Sequence, residues 1–462
     1  MKFASEADVN KALDGIVVRE ADGVRVTDSD RLRGELIDKL AYNAVFADTA
    51  ELRGLSRYLV RQIGIAMGCV PASIQGFYEA MGRGEVAPMT VPAINIRGMS
   101  YDIARAIVRA AIELDSAAFI FEIAKSEIGY TFQRPAEYTV VMLAACLREG
   151  FSGPVFVQGD HFQVNAKKYA QDPDAALKEV RALISEAVPA GFYNIDIDTS
   201  TLVDLSHDTV IEQQRNNFQH AAELTQLVRE LEPEGVTVSV GGEIGEVGEK
   251  NSTVEEFEAF MDGYLECLPK GMTGISKISV QTGTSHGGVP TADGSVAEVA
   301  LDFNVLRDIS ASARSRYKIS GSVQHGASTL PDDAFHQFVQ SNASEVHLAT
   351  GFQNMVYDSP NLPRGLKAKV FDWLRENCAD EQKEGQTEAQ FLYKTRKKGF
   401  GPFREEFWTL PEGTRNAIGK ELEDKFLFLF DQLGVKGSAD AVRQHVDAAV
   451  VKPNLDVEIA TS

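Results

Sequence analysis

From residue 90 to residue 360, short apolar and β-branched runs alternate with segments whose apolar positions repeat at helical spacing. The runs at 91–96, 118–123, 155–158, 193–197, 236–240, 275–280, 317–322 and 346–350 read as strands, and most end in polar residues. Between them, 101–114 places Ile103, Ile107, Ala110, Ala111 and Leu114 on one helical face. Pro135 opens a helix over 135–147, Pro173 precedes one over 174–187, and Pro331 opens a short one. Over 253–268, Ser252 or Thr253 with a glutamate three residues on forms a capping box. Strands alternating with helices imply a parallel sheet. Eight such units predict an α/β fold, a closed (β/α)8 TIM barrel. An open doubly wound sheet is the structural alternative, and no G-x-G-x-x-G follows the first strand to favour it. Barrels of this kind place their chemistry at the C-terminal ends of the strands. Those ends hold Asn95, Lys125, Asp160, His161, Asp196, Asp198, Glu243, His286, His325 and Thr350, whereas the apolar halves carry few polar groups.

The flanks have a different texture. Residues 1–89 read as an N-terminal helical extension: Asp28 or Ser29 caps an amphipathic segment, a second runs over 50–67, and a third ends at Gly82 and Gly84. This layer carries no chemical motif. Residues 361–462 read as a C-terminal helical extension, with helices at 366–377, 387–397, 413–434 and 438–449. The second of these ends in the basic run Lys394-Thr395-Arg396-Lys397-Lys398. That run is either a solvated helix end or, in an oligomer, a phosphate grip reaching a neighbour's active site. The expected domain plan is therefore 1–89, a catalytic barrel over 90–360, and 361–462.

Charge narrows the function. The 67 acidic residues outnumber the 46 basic ones, for a formal net charge of −21. A nucleic-acid partner is not expected, because phosphate neutralisation needs clustered Lys and Arg. An anionic substrate must be held by local donors against the global field. The four cysteines are scattered without a C-x-x-C, which fits a reducing compartment and argues against disulfides or a thiolate metal site. No apolar leader or membrane-length apolar run is evident, so a soluble cytoplasmic protein with no membrane partner is expected.

Of the eight histidines, His161, His286 and His325 close barrel strands, whereas His207, His220, His336 and His445 fall in loops or helices. Three imidazoles with an open fourth position are the donor pattern of catalytic zinc. Neighbours on a regular strand face opposite ways, so Asp160 and His161 share one site only if the strand is ending there, as Gly159 suggests. A carboxylate beside the metal suits a general base. Glu243 and Asp196 are further oxygen donors for a second cation position or for orienting the histidines. Gly287, Gly326 and Ser328 follow two of the histidines, where backbone N–H groups can approach a phosphate; Thr350 and Lys125 add donors.

These residues, in order, resemble a known family. Gly159-Asp160-His161, Asn194-Ile195-Asp196, Glu243-Ile244-Gly245, Ser285-His286-Gly287, His325-Gly326-Ala327-Ser328 and Ala349-Thr350 resemble the signatures of class II, zinc-dependent fructose- and tagatose-bisphosphate aldolases over residues 90–355, with Asn95 similar to the family's first-strand asparagine. The resemblance implies a divergent, long member that reversibly cleaves a phosphorylated ketose to dihydroxyacetone phosphate and an aldehyde. His161, His286 and His325 would bind Zn2+, Asp160 would take the C4 hydroxyl proton, and Glu243 and Asp196 would lie near the metal's alternative position. Gly287, Gly326, Ser328 and Thr350 would surround the phosphate and a monovalent cation, sodium or potassium. Glu249, in the acidic loop after the Glu243 strand, would protonate the enediolate. A small-molecule sugar phosphate is the expected partner and a homo-oligomer the expected assembly. The chain departs from the pattern at Ala124, Phe162, His347 and Ala349, positions that touch the ketose or its phosphate in the family, so the particular sugar stays open. Two alternatives stand beside this reading: a Schiff-base aldolase using Lys125 or Lys277, and a non-catalytic sugar-phosphate-binding accessory subunit.

Overall fold

In the computed structural model, which describes residues 2–245, 250–283 and 301–462, the barrel is closed by pairing alone. Strands β1 (Val17–Glu20) and β2 (Gly23–Val26) form an antiparallel hairpin near the N-terminus. Strand β3 (Cys69–Ala72) follows. The barrel strands are β4 (Val91–Asn95), β5 (Ile120–Ala124), β6 (Gly153–Gln163), β7 (Asn194–Asp198), β8 (Ser239–Glu243), β9 (Lys277–Val280), β10 (Ser322–Gln324) and β11 (Glu345–Leu348). They pair in chain order and in parallel, and β11 returns to β4, so the expected eight-stranded barrel is present. Helices cover its outside, as at Ser100–Glu113, Pro135–Glu149 and Pro173–Ala187. Of the two candidate capping boxes, Thr253 with Glu256 forms, while Ser252 Oγ accepts from the Gln281 N–H at 3.0 Å.

Three features differ from the sequence reading. The N-terminal segment is not wholly helical: it holds the β1–β2 hairpin, and β3 adds a ninth strand to the sheet. β3 pairs with the first residues of β6, on the edge that β7 takes over from Gln158 onward. The Asn194 side chain seals that junction, accepting from the Ile74 N–H at 2.9 Å and donating to the Val157 carbonyl at 3.1 Å. The strand expected over 317–322 lies later, at Ser322–Gln324, because the chain first runs through a π-helical turn at Ala313–Tyr317 and a left-handed Lys318.

The barrel interior is also more polar than the apolar strand halves suggest. Lys277 and Glu345 are the first residues of β9 and β11, and both side chains are buried. Lys277 Nζ lies 3.0 Å from an Asp196 oxygen and donates to Gln158 at 2.8 Å and to Glu345. Tyr78, from helix Gln75–Gly82 at the N-terminal end of the barrel, donates its hydroxyl to Glu345. Buried charges persist only when paired and hydrogen-bonded, and this layer meets that condition where aliphatic side chains usually fill a barrel.

Both flanks pack on the barrel's helices. Helix Glu412–Gln432 lies along Ser100–Glu113, and helix Ala50–Ala66 sits between Ile37–Phe46, Pro135–Glu149 and Leu455–Ala460. Asp28, rather than Ser29, is the cap, accepting from the Arg31 N–H at 2.9 Å. Among the described residues, no helix is long and apolar enough to cross a membrane.

Candidate active site at the barrel mouth

β6 brings Asp160 and His161 together, though not by ending. The strand runs on to Gln163, and its register against β7 shifts between Gly159 and Phe162. His161 sits in that bulge with φ 43°. A bulge re-aims side chains that would otherwise alternate, so neighbours in sequence face one site. Left-handed backbone is unfavourable for a non-glycine residue and clusters at functional positions.

The His161 ring bridges two groups of acids. Its Nε2 lies 3.9 Å from Asp160 Oδ1, and its Nδ1 lies 3.2 Å from both Asp198 Oδ2 and Glu243 Oε2. His325 follows β10; its Nε2 is 3.4 Å from Asp160 Oδ1, and its ring stacks on His161 with centroids 4.3 Å apart. His347, from β11, completes the group. Its Nδ1 is 2.9 Å from Glu122 and 3.3 Å from Asp160, and its Nε2 is 2.6 Å from Glu345.

This crowding sets the protonation states. Burial opposes a charge on Asp160, but His161 and His347 outweigh it and hold the carboxyl well below its usual range. Burial likewise works against His161 and His347, and their carboxylate neighbours raise both well above the usual imidazole value. His325 goes the other way, lowered by burial and by the two cationic rings beside it. Burial pushes Glu122 up to about 8, and pushes Asp196 up to about 6 against the pull of Lys277.

The other expected site residues divide into three sets. A cavity of about 1340 Å³ opens at this end of the barrel and gathers Asn95, Lys125, Asp160, His161 and His325, with Gly326, Ser328 and Thr350 on its wall. Asn95 donates to Glu127 at 2.6 Å, and Lys125 Nζ donates to the Gln163 carbonyl at 2.8 Å. Ser328 Oγ accepts from the Gly351 N–H at 2.9 Å, tying the two late loops together at the start of helix Thr350–Asp358. Glu243 lies behind His161, whereas Asp196 sits deeper, against Lys277 and 3.6 Å from His347. Glu249, His286 and Gly287 lie outside the described residues. The sequence reading did not place His347, Glu122 and Asp198 together with the acid–base group. Alternation along β5 and β7 was the available signal: Glu122 precedes Ala124, and Asp198 follows Asp196, by one inward step.

The donor set suits a cation. Ligand atoms of Asp160, His161 and His325 lie within 4.8 Å of one another, as do those of His161, Asp198 and Glu243. Imidazole nitrogens with carboxylate oxygens are zinc-type donors, and a buried excess of carboxylates calls for positive charge. Residues and fold together define a (β/α)8 barrel protein whose mouth gathers the donors of a metal site. The chain belongs to the class II fructose-bisphosphate aldolase family, whose model matches residues 79–397. That span runs past the expected 90–355 and takes in all of the basic run but Lys398.

Solved structures share the architecture. The fructuronate-tagaturonate epimerase UxaE from Cohnella laeviribosi is 13% identical, with a TM-score of 0.57 over 92% of this chain and 90% of that one. A probable tagatose 6 phosphate kinase from Sinorhizobium meliloti is 18% identical, with a TM-score of 0.51 over 80% of this chain and 97% of that one. The fructose-bisphosphate aldolase of Campylobacter jejuni is 17% identical, with a TM-score of 0.47 over 80% and 97% of the two chains. The likeness to the first two, at these identities, shows the fold. A search of curated proteins found no match.

Proposed function

We propose that this protein is a metal-dependent aldolase that reversibly cleaves a phosphorylated ketose to dihydroxyacetone phosphate and an aldehyde. His161 and His325, with His286 from outside the described residues, would hold a zinc ion. When bound, zinc supplies Lewis-acid polarisation of the ketose carbonyl. Asp160 accepts the proton of the C4 hydroxyl as the C3–C4 bond breaks, and an acid returns a proton to the enediolate carbon; Glu249 is assigned that step. Asn95, Lys125, Gly326, Ser328 and Thr350 are assigned to the sugar and its phosphate, with Gly287 beside them and a monovalent cation among the late loops. Glu243 and Asp198 fix the His161 ring, and Asp196 balances Lys277.

The observation that carries this reading is Asp160: a buried carboxyl group 3.4 Å from one imidazole and 3.3 Å from another, at the C-terminal ends of the strands. A binding module has no need of such a group. Lys277 gives the Schiff-base alternative little support. Its ammonium is paired with Asp196 and Glu345, and those carboxylates raise its pKa despite burial, whereas a nucleophilic amine must be neutral. The deciding experiment is metal analysis with a retro-aldol screen over ketose mono- and bisphosphates. Bound zinc and chelator-sensitive cleavage are expected. Metal-loaded protein that neither cleaves nor exchanges the α-proton of dihydroxyacetone phosphate would instead favour an accessory subunit.

A second reading has one specific support: the likeness to the epimerase reaches into both flanks, covering 92% of this chain. Inverting a sugar carbon calls for groups that remove and return a proton, which this mouth gathers in Asp160, His161 and His347. Adding ketohexuronates to the screen separates the two, since an epimerase returns a six-carbon isomer without three-carbon products.

A further inference from the structure

Part of the cavity wall is built by the C-terminal segment of the same chain. Lys383, Lys394 and Lys397 line it, and none of the three has a carboxylate ion-pair partner among the described residues. The neighbouring Lys398, which does not line the cavity, is paired with Glu381. Unpaired lysines gathered at one opening are notable in a chain of net charge −21. Arg97 also reaches the cavity, but its charge is engaged by Glu127 at 2.7 Å and it donates to Gln353 at 3.0 Å.

Lys397 is held in place. Arg396 beside it is locked to Asp358 at 2.9 Å and Asn354 at 2.6 Å, and its carbonyl accepts from Tyr357 at 2.8 Å. The turn Arg396–Phe400 then packs on the barrel loops through two close approaches. A Cβ on Gly98 would overlap the Phe400 ring, and one on Gly401 would overlap the Tyr130 carbonyl. Lys397 Nζ lies 5.7 Å from the centroid of the Tyr130 ring, within cation–π range. Burial lowers its pKa and Arg97 lowers it further, against the opposing pull of Glu127.

We propose that Lys397, flanked by Lys394, binds the anionic terminus of the substrate, a phosphate or carboxylate remote from the reacting carbon. The sequence leaves this basic run as either a solvated helix end or, in an oligomer, a phosphate grip on a neighbour's site; here Lys394, Thr395 and Lys397 line the cavity of their own chain. The inference rests on the barrel mouth being the substrate site, and does not need carbon–carbon cleavage.

Equilibrium binding to the full-length protein as purified tests it, with fructose 6-phosphate, galacturonate and fructose as probes. At least one anionic probe should bind about tenfold or more tighter than fructose, equivalent to about 1.4 kcal/mol. Lys397→Met should reduce that preference to within about twofold, Lys397→Arg should restore most of it, and added salt should weaken it, while fructose binding holds throughout. A preference for fructose 6-phosphate assigns a phosphate, and one for galacturonate assigns a carboxylate. Equal binding of all three probes by the native chain, or an anion preference that survives in a folded Lys397→Met protein, would overturn the proposal. Affinity is read rather than turnover, so a failed cleavage assay would leave this result standing.

Discussion

At the scale of single residues, the site turns on Asp160 and His161. Replacing Asp160 with asparagine keeps shape and hydrogen bonding but removes the proton acceptor. Cleavage should fall by about 10²–10⁴-fold while metal content stays near that of the native protein; a variant with intact turnover would exclude Asp160 as the base. His161 carries a second expectation. Asp160 and Glu243, with a hydrogen bond to Asp198, hold it protonated near neutrality although burial opposes the charge. Metal binding requires a neutral ring, so loading should release a proton at pH 7. Affinity should climb with pH through the neutral range and level off once His161 has lost its proton in the metal-free protein. Calorimetric titration of zinc in two buffers of different ionisation enthalpy measures this, and loading without proton release would contradict it. Asp160, His161 and His325 were legible in the sequence because each closes an apolar run. His347 was not. Its place in the chain marked it as a departure from a family pattern, whereas its contacts with Glu122, Asp160 and Glu345 depend on strands far apart in sequence.

Elements impose their own constraints. All eight barrel strands could be read from apolar runs, although edges moved by a few residues because loop and strand share the same β-branched composition. The bulge in β6 could not be read, since a register shift is a property of two strands rather than one. The ion-pair layer could be read only in part: Lys277, within the run 275–280, stands as a candidate nucleophile, whereas Glu345 precedes the run 346–350, and their pairing joins strands far apart in sequence. That layer makes a stability prediction. Lys277→Met strands the Asp196 and Glu345 carboxylates, and loss of one member of a buried pair costs about 3–5 kcal/mol. Urea unfolding should show a loss of stability of that order, part of which Glu345→Gln in the same chain should recover; an unchanged midpoint would mean the ammonium contributes little. The C-terminal turn makes a smaller one. Gly98→Ala pushes against Phe400 and should cost about 1–3 kcal/mol by overpacking, read from the same urea curves.

At the scale of the whole molecule, three segments with different sequence textures share one set of contacts. The sequence separates 1–89, 90–360 and 361–462 by texture, because a helical flank and a barrel have different hydrophobic periods, but periodicity carries no information on which flank packs where. In the fold, helix Glu412–Gln432 covers the barrel helix Ser100–Glu113, and Phe426, Leu429 and Phe430 are buried. Arg109 of the barrel helix pairs with Glu423, and Arg415 reaches Asp102 at 2.9 Å. Helix Leu455–Ala460 lies against Ala50–Ala66, and Arg61 pairs with Glu458 at 2.7 Å. The two ends of the chain are thus joined to each other as well as to the barrel, so neither flank can detach without exposing apolar surface that the other helps bury. We therefore propose that the three segments unfold as one unit. Calorimetric and circular-dichroism melts should coincide in a single transition, the usual signature of two-state loss of structure. Chelation should lower its midpoint without splitting it, since a ligand of the folded state shifts the equilibrium by mass action. Removing residues 362–462 should leave a chain that no longer melts cooperatively. Two resolved transitions in the intact protein, or a truncated chain with a sharp melt of its own, would show instead that the barrel folds independently of its flanks.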